Sequence, residues 1–117
     1  MPDLRTIKTK KSIENAFLEL RQKKNLEDIK VSELCSIALI NKTTFYNYYS
    51  DIYELSNELE EKYLQQCFLG FNGYDCLFKN TEKFIKGIYN SFNNNNTIQI
   101  LFSNRINMLV EKTQKYL

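Results

Sequence analysis

The most informative part of the sequence is a short polar and aromatic segment, residues 41–49, whose side chains could hydrogen-bond to a nucleic acid. Asparagine can pair with adenine through two hydrogen bonds and lysine can pair with guanine, whereas threonine or tyrosine can contact the methyl group of thymine. A helix that begins after Asn41 would also direct its first backbone N–H groups outward, where such groups bind phosphate. The side chains predicted to share the exposed side of this helix are Lys42, Thr43, Tyr46 and Asn47.

An aromatic run overlaps the same segment, because residues 45–49 contain four aromatic rings in five positions. Phe45 and Tyr49 lie four residues apart and are predicted to face the core. One buried stripe cannot hold all four rings, so some of them are predicted to be exposed, where a binding partner explains them better than a core does. The alternative to a nucleic acid is a protein–protein contact patch.

The composition argues against most enzyme chemistry. The chain of 117 residues contains no histidine, so it lacks the usual partner of a serine or cysteine nucleophile and the commonest metal ligand. The three cysteines, Cys35, Cys67 and Cys76, are too widely spaced for a zinc knuckle or a redox pair, which favours a reduced, intracellular setting. We therefore predict a protein that is not an enzyme, with no catalytic residues, no metal and no cofactor.

Charge and hydropathy narrow the choice of partners. Residues 1–49 carry a net charge of +3, residues 50–66 carry −4, and residues 67–117 carry +3. A basic block followed by an acidic block favours an N-terminal face that meets a polyanion. The sequence shows neither a signal peptide nor the roughly 20 apolar residues of a membrane span, so a cytoplasmic protein without a membrane partner is expected.

Helical periodicity runs through the chain without strand-like alternation, so we predict an all-α fold. The first helix is predicted from about Thr9 to Lys24, and a short second one follows at residues 31–38. Asn41 is the predicted N-cap of a third helix that reaches about Tyr49. Asp51 caps a fourth helix that continues to residue 67 or 68.

The glycines at 70 and 73 interrupt this pattern and mark a boundary. A helical face is predicted over residues 81–92, followed by a polar connection at residues 93–96. We expect the faces beyond the boundary to form a core first, a ligand pocket second and a dimer seam third. The last predicted helix places these residues on one side: Phe102, Ile106, Leu109, Val110, Thr113 and Leu117.

Residues 31–55 read VSELCSIALINKTTFYNYYSDIYEL. This segment resembles the pattern T-V-x-D-I-A-x-x-A-G-V-S-K-G-T-F-Y-x-H-F-x-S-K-x-x-L of the TetR/AcrR transcriptional regulators, and the resemblance extends over about residues 7–66. It implies a three-helix helix-turn-helix DNA-binding domain at residues 1–50, a linking helix at 51–68, and a partial helical regulatory and dimerisation domain at 69–117. Because that last domain is usually longer in the family, the resemblance also implies that it is truncated here or that dimers form through another surface.

The resemblance implies a homodimeric, ligand-responsive repressor that binds a palindromic operator in double-stranded DNA and takes a small-molecule effector in its C-terminal domain.

Four positions depart from the family pattern. Leu39 replaces the turn glycine, Tyr48 a histidine, Ile52 a phosphate-binding lysine, and Lys30 a threonine cap. The residues that match DNA-contacting positions are Ser32, Lys42, Thr43, Thr44, Tyr46, Asn47 and Tyr48. Two further candidates complete the predicted site: Asn41, at the phosphate-binding start of the third helix, and Lys30, whose side chain could reach a phosphate.

The departures at Leu39 and Ile52 keep a second hypothesis open. In it, the chain is a helical adaptor that retains the fold but works through protein contacts made by the aromatic run. Leu39 also poses a structural question, because a non-glycine residue at this turn is either left-handed or part of a turn with another geometry.

Overall fold

A computed structural model describes residues 3–69 and 95–114. They form helices and no strands, so the predicted all-α fold is confirmed for them. The helices are α1 (Leu4–Arg21), a 3-10 turn (Leu26–Asp28), α2 (Val31–Ala38), α3 (Lys42–Tyr48), α4 (Ile52–Leu69), α5 (Asn96–Leu101) and α6 (Ile106–Thr113).

The chain divides into two compact units, Met1–Leu59 and Glu60–Leu117, and helix α4 contributes residues to both. Each unit is described by itself. The domain limits expected from the sequence, at residues 50 and 68, stay a prediction.

Helix α1 begins and ends earlier than the sequence predicted. Asp3 caps it, because the Oδ1 atom of Asp3 accepts the Thr6 N–H at 2.8 Å, and this hydrogen bond is the main cause of the lowered pKa of Asp3. At the other end the N–H groups of Lys23 and Lys24 both donate to the Leu20 carbonyl, at 3.0 and 2.8 Å. The bond from Lys23 spans three residues rather than four, which tightens the last turn where the regular helix ends at Arg21.

The core of the first unit confirms the periodicity of its helices. Helix α1 packs against α2, and α2 packs against α3. The short helices therefore gain their stability from shared burial, since helices of seven or eight residues are marginal in isolation. The buried apolar residues of this unit are Ile13, Ala16, Phe17, Leu20, Leu26, Ile29, Leu34, Cys35, Phe45, Tyr49, Ile52, Leu55 and Leu59.

The turn between α2 and α3 contains a left-handed leucine. Leu39 has φ 59° and ψ 44° and ends α2, with its N–H donating to the Cys35 carbonyl. The N–H of Ile40 donates to the same carbonyl at 3.1 Å. Leu39 therefore adopts the backbone conformation that a glycine usually provides at a helix C-terminus, and its side chain is 89% exposed.

We expect Leu39→Gly to raise the free energy of unfolding by about 0.5–1 kcal/mol. A left-handed conformation costs a residue with a Cβ atom roughly 1–2 kcal/mol, and the greater freedom of glycine in the unfolded chain offsets about half of the gain. Urea denaturation followed by circular dichroism measures the change. Leu39→Ala is the matched control, because it shortens the exposed side chain but keeps the Cβ atom, and equal stabilisation by both substitutions would contradict the explanation.

The second unit corrects one prediction from the sequence. The single last helix is instead two helices, α5 and α6, separated by a turn in which Asn104 has φ 60°. Helix α5 stops at Leu101. Phe102 is buried, whereas Ile106 and Val110, beyond the turn, are 64% and 52% exposed. The predicted common face is therefore wrong. Leu117 and the helical face predicted at residues 81–92 lie outside the described residues.

In the second unit, polar side chains form hydrogen bonds and an ion pair in addition to the packing of the buried apolar residues. Asn95, within the predicted polar connection, caps α5 by accepting the Ile98 N–H at 3.0 Å, and its amide donates to Cys67 at 3.3 Å. Glu60, which is 1% exposed, forms an ion pair with Arg105. The buried apolar residues that the structure describes here are Leu64, Ile98, Leu101 and Phe102.

Candidate nucleic-acid interface

Helix α3 begins directly after Asn41, the residue that the sequence predicted as its cap. The Asn41 Oδ1 atom accepts the Thr44 N–H at 2.8 Å and the Thr44 hydroxyl at 2.9 Å. Asn41 itself has extended backbone, as an N-cap requires. Both hydrogen bonds use the side-chain oxygen of Asn41. The side-chain NH2 group is the part of Asn41 that can donate to a partner.

The two sides of α3 differ sharply in exposure. Phe45 is 0% exposed and Tyr49, which ends the helix, is 5% exposed. The Phe45 ring contacts the Tyr46 ring edge-to-face at 5.4 Å and the Tyr49 ring at 5.7 Å, both measured between centroids. The predicted exposed side is confirmed, because these four residues are open to solvent: Lys42, Thr43, Tyr46 and Asn47.

The start of α2 carries the two other exposed candidates, Lys30 and Ser32. The Glu33 side chain accepts the Lys30 N–H at 3.2 Å. The reciprocal half of a capping box is missing, because a lysine side chain has no acceptor. Lys30 therefore caps α2 only through its backbone.

Glu33 is the acidic residue of α2, and Lys24 neutralises much of its effect. The Lys24 ammonium pairs with the Glu33 carboxylate, and this hydrogen bond is the main cause of the lowered pKa of Glu33. An acidic group at the start of α2 would repel a polyanion, so its pairing with Lys24 makes the exposed side of α2 more favourable for an anionic partner.

The start of α4 shows what Ile52 does in this chain. The Asp51 Oδ1 atom accepts the Glu54 N–H at 2.8 Å, which confirms the predicted cap. The Glu54 carboxylate accepts hydrogen bonds from the N–H and hydroxyl groups of Ser50. Ile52 is buried, so this position supports the core, whereas Tyr53 beside it is 56% exposed.

All nine candidate residues lie among the described residues of the first unit, and none of the nine is buried. Thr44 and Tyr48 are half-buried, and the other seven are exposed. Two of the nine lie at the start of α2, and seven lie on α3 and its cap. Their roles in binding DNA stay predictions.

A polar cluster at the C-terminal end of α3 was not predicted from the sequence. The Lys10 ammonium lies 3.2 Å from the Glu58 carboxylate and 5.6 Å from the centroid of the Tyr49 ring. Burial is the largest cause of the raised pKa of Tyr49, followed by its hydrogen bond to Glu58. A hydroxyl at a position predicted to be core was the available signal, since a buried hydroxyl needs a partner.

The thiols of the described residues are buried or half-buried, and they do not join acidic groups in a set that could hold a metal ion. Cys35 and Cys67 are free thiols, and burial raises the pKa of both. Nowhere in residues 3–69 and 95–114 do three potential ligands from histidine, cysteine, aspartate and glutamate come together to hold a metal ion. Across the same ranges, every helix is too short or too polar to cross a membrane.

Comparison with known proteins yields no match to a family model, to a curated protein or to a solved structure. The resemblance of residues 31–55 to TetR/AcrR regulators therefore stays a prediction from the sequence.

Proposed function

We propose that this protein is a sequence-specific, DNA-binding transcriptional regulator that uses α3 as its recognition helix. The observation that carries the proposal is the two-sided character of α3. Its hydrogen-bonding residues are exposed on one side, and Phe45 attaches the other side to the core. The helix contains no acidic residue that would repel phosphate.

The side chains have distinct proposed roles. Thr43, on the first turn, contacts a base edge, and Asn47 pairs with adenine one turn later. Lys42 binds phosphate or guanine, and Tyr46 lies against the DNA backbone or a thymine methyl. Lys30 and Ser32 at the start of α2 bind the adjacent backbone, which sets the register of the protein on the duplex.

The wider proposal is a cytoplasmic homodimer that represses transcription. Two recognition helices would enter successive major grooves of a palindromic operator, about 34–36 Å apart. A small molecule bound in the second unit would weaken operator binding by favouring a different population of conformations. The resemblance at residues 31–55 supports this wider proposal.

The test is selection of a duplex from a random-sequence library by the wild-type chain, followed by titration at several salt concentrations. We expect the affinity to fall by roughly 10³-fold between about 50 and 200 mM salt if about six phosphates are contacted. Lys42→Ala is expected to weaken binding to all sequences and to lower the salt slope by about 1, whereas Thr43→Ala should cost about 1–3 kcal/mol and relax preference at one base position.

Lys23→Ala is the matched control for Lys42→Ala, because Lys23 is also exposed but lies near the end of α1, in an ion pair with Glu19. It should leave binding to the selected duplex within about twofold, as expected for an exposed pair worth about 0–1 kcal/mol. Failure to bind any duplex at low salt, or binding without a salt slope, would contradict DNA recognition. Equal losses on all sequences for Lys42→Ala and Thr43→Ala would contradict the separate roles.

A second candidate is a helical adaptor for protein partners. It is favoured by exposed apolar surface beside the proposed interface, since Ile37 is 40% exposed, Leu39 is 89% exposed and Tyr46 is 53% exposed. Comparison of the selected duplex with unrelated DNA in an electrophoretic assay, with a parallel search for protein partners, distinguishes the two candidates. An adaptor would bind neither the selected duplex nor unrelated DNA, and the Tyr46→Ala variant would no longer bind the protein partner.

A further inference from the structure

Side chains from three helical segments meet at the C-terminal end of α3. Lys10 comes from α1, Tyr49 ends α3, and Glu58 comes from α4. The Lys10 ammonium is 3.2 Å from the Glu58 carboxylate and 5.6 Å from the Tyr49 ring centroid, within the usual range of a cation–π contact. We call these three residues the polar clamp.

Helix α3 needs a second attachment because it is short and has little buried surface of its own. Of its seven residues, all of which the structure describes, Phe45 alone is buried. A helix attached at one position can rotate about that side chain. Tyr49 lies four residues further along on the same face, and its N–H donates to the Phe45 carbonyl at 3.0 Å.

We propose that Lys10, Tyr49 and Glu58 are positioning residues that fix the rotation of α3 and so hold its exposed side in register with the DNA. The inference rests on the proposed function and adds to it, because none of the three is among the residues proposed to contact DNA. In this proposal, Phe45 determines the position of α3 on the core, and the polar clamp determines the rotation of α3 about its own axis.

The tyrosine hydroxyl gives the clamp its direction. A phenylalanine ring at position 49 would be held by apolar packing alone, whereas the hydroxyl of the buried Tyr49 needs an acceptor. The Glu58 carboxylate is the acceptor that the cluster offers, because the Lys10 ammonium lies both 3.2 Å from that carboxylate and over the Tyr49 ring. Lys10 in turn holds that carboxylate through an ion pair whose two side chains are 40% and 45% exposed. The exposed ion pair contributes little alone, so removal of the Tyr49 hydroxyl is the change that tests the clamp.

The first test is amide hydrogen exchange by NMR in the full chain with Tyr49→Phe, which removes only the hydroxyl. We expect the amides of α3 to exchange roughly tenfold faster, a factor that corresponds to about 1.4 kcal/mol, while the amides of α1 keep their rates. Tyr53→Phe is the matched control, since Tyr53 is 56% exposed on α4, and it should change neither set. Unchanged exchange in α3, or an equal increase in α1 and α3, would overturn the clamp.

The second test uses the duplex that the wild-type chain selects from a random library. Tyr49→Phe is expected to lower the ratio of affinity for that duplex to affinity for unrelated DNA by about three- to tenfold, because a rotated helix loses base contacts but keeps its charges. Tyr53→Phe should preserve the ratio. A preserved ratio in Tyr49→Phe would overturn the positioning role.

A double-mutant cycle distinguishes positioning from a general loss of stability. If the clamp acts through the base contact of Thr43, Tyr49→Phe should reduce the ratio less in a Thr43→Ala background than in the wild type. Additive losses would overturn the inference. If the wild-type chain binds no duplex at low salt, the proposed function fails, and the exchange experiment still decides whether the clamp fixes α3.

Discussion

Phe45→Ala is expected to lower the free energy of unfolding of the chain by about 3–5 kcal/mol, the usual cost of removing a large aromatic side chain from a packed core. Phe45 is 0% exposed and is the residue that attaches α3 to the first unit. Because α2 and α3 pack together, the cavity cannot be closed without moving a whole helix. Urea denaturation followed by circular dichroism measures the loss.

The matched control is Tyr46→Ala, which removes the neighbouring ring. Tyr46 is 53% exposed, so its loss should cost less than about 1 kcal/mol while reducing any binding to DNA. Phe45→Ala should abolish DNA binding by releasing α3, and Tyr46→Ala should weaken it with the fold intact. Similar losses of stability in the two variants would contradict the assignment of opposite sides to these two rings.

Arg105→Met is expected to lower the free energy of unfolding by about 3 kcal/mol. Its guanidinium pairs with Glu60, which is 1% exposed, and a buried charge that loses a partner is strongly destabilising. Methionine keeps most of the apolar stem of the side chain, so the change isolates the charge. The measurement is again urea denaturation, with the near-ultraviolet signal as a second probe of packing.

Lys112→Met provides the comparison within the same unit. Lys112 pairs with Glu61 at 3.2 Å, and the Glu61 side chain is 36% exposed, so water can replace much of what the lysine provides. We expect a loss of about 1 kcal/mol or less. Arg105→Met should therefore be the more destabilising substitution, and the reverse order would show that burial of Glu60 does not govern the cost.

Several parts of the candidate site could be predicted because they depend on local rules. The side chain of Asn41 caps α3 through a backbone N–H three residues ahead in the sequence. Helical periodicity places Phe45 in the core and Tyr46 in solvent. Asp3 shows how such a rule can still be missed. The prediction followed the apolar stripe that begins at Ile13, whereas Asp3 caps α1 at Leu4, five positions before the predicted start at Thr9.

Other features could not be predicted because two local outcomes were equally consistent with the sequence. Leu39 was compatible with a left-handed residue or with a different turn, and packing of α2 against α3 imposes the left-handed form despite its cost. The apolar spacing from Phe102 to Val110 was compatible with one continuous helix. The turn at Asn104, which has φ 60°, divides it, and Phe102 just before that turn is buried.

The sequence by itself determined that residues 3–69 and 95–114 are helical, that α3 has an exposed polar side, and where α3 and α4 begin. These are consequences of interactions over three or four residues, which the order of amino acids specifies directly. Only the tertiary structure decided which distant charges meet. Lys10 and Glu58 are 48 residues apart and Glu60 and Arg105 are 45 apart. Such pairs form only after whole helices pack, because apolar burial places the helices and the polar side chains then find the partners that this placement brings within reach.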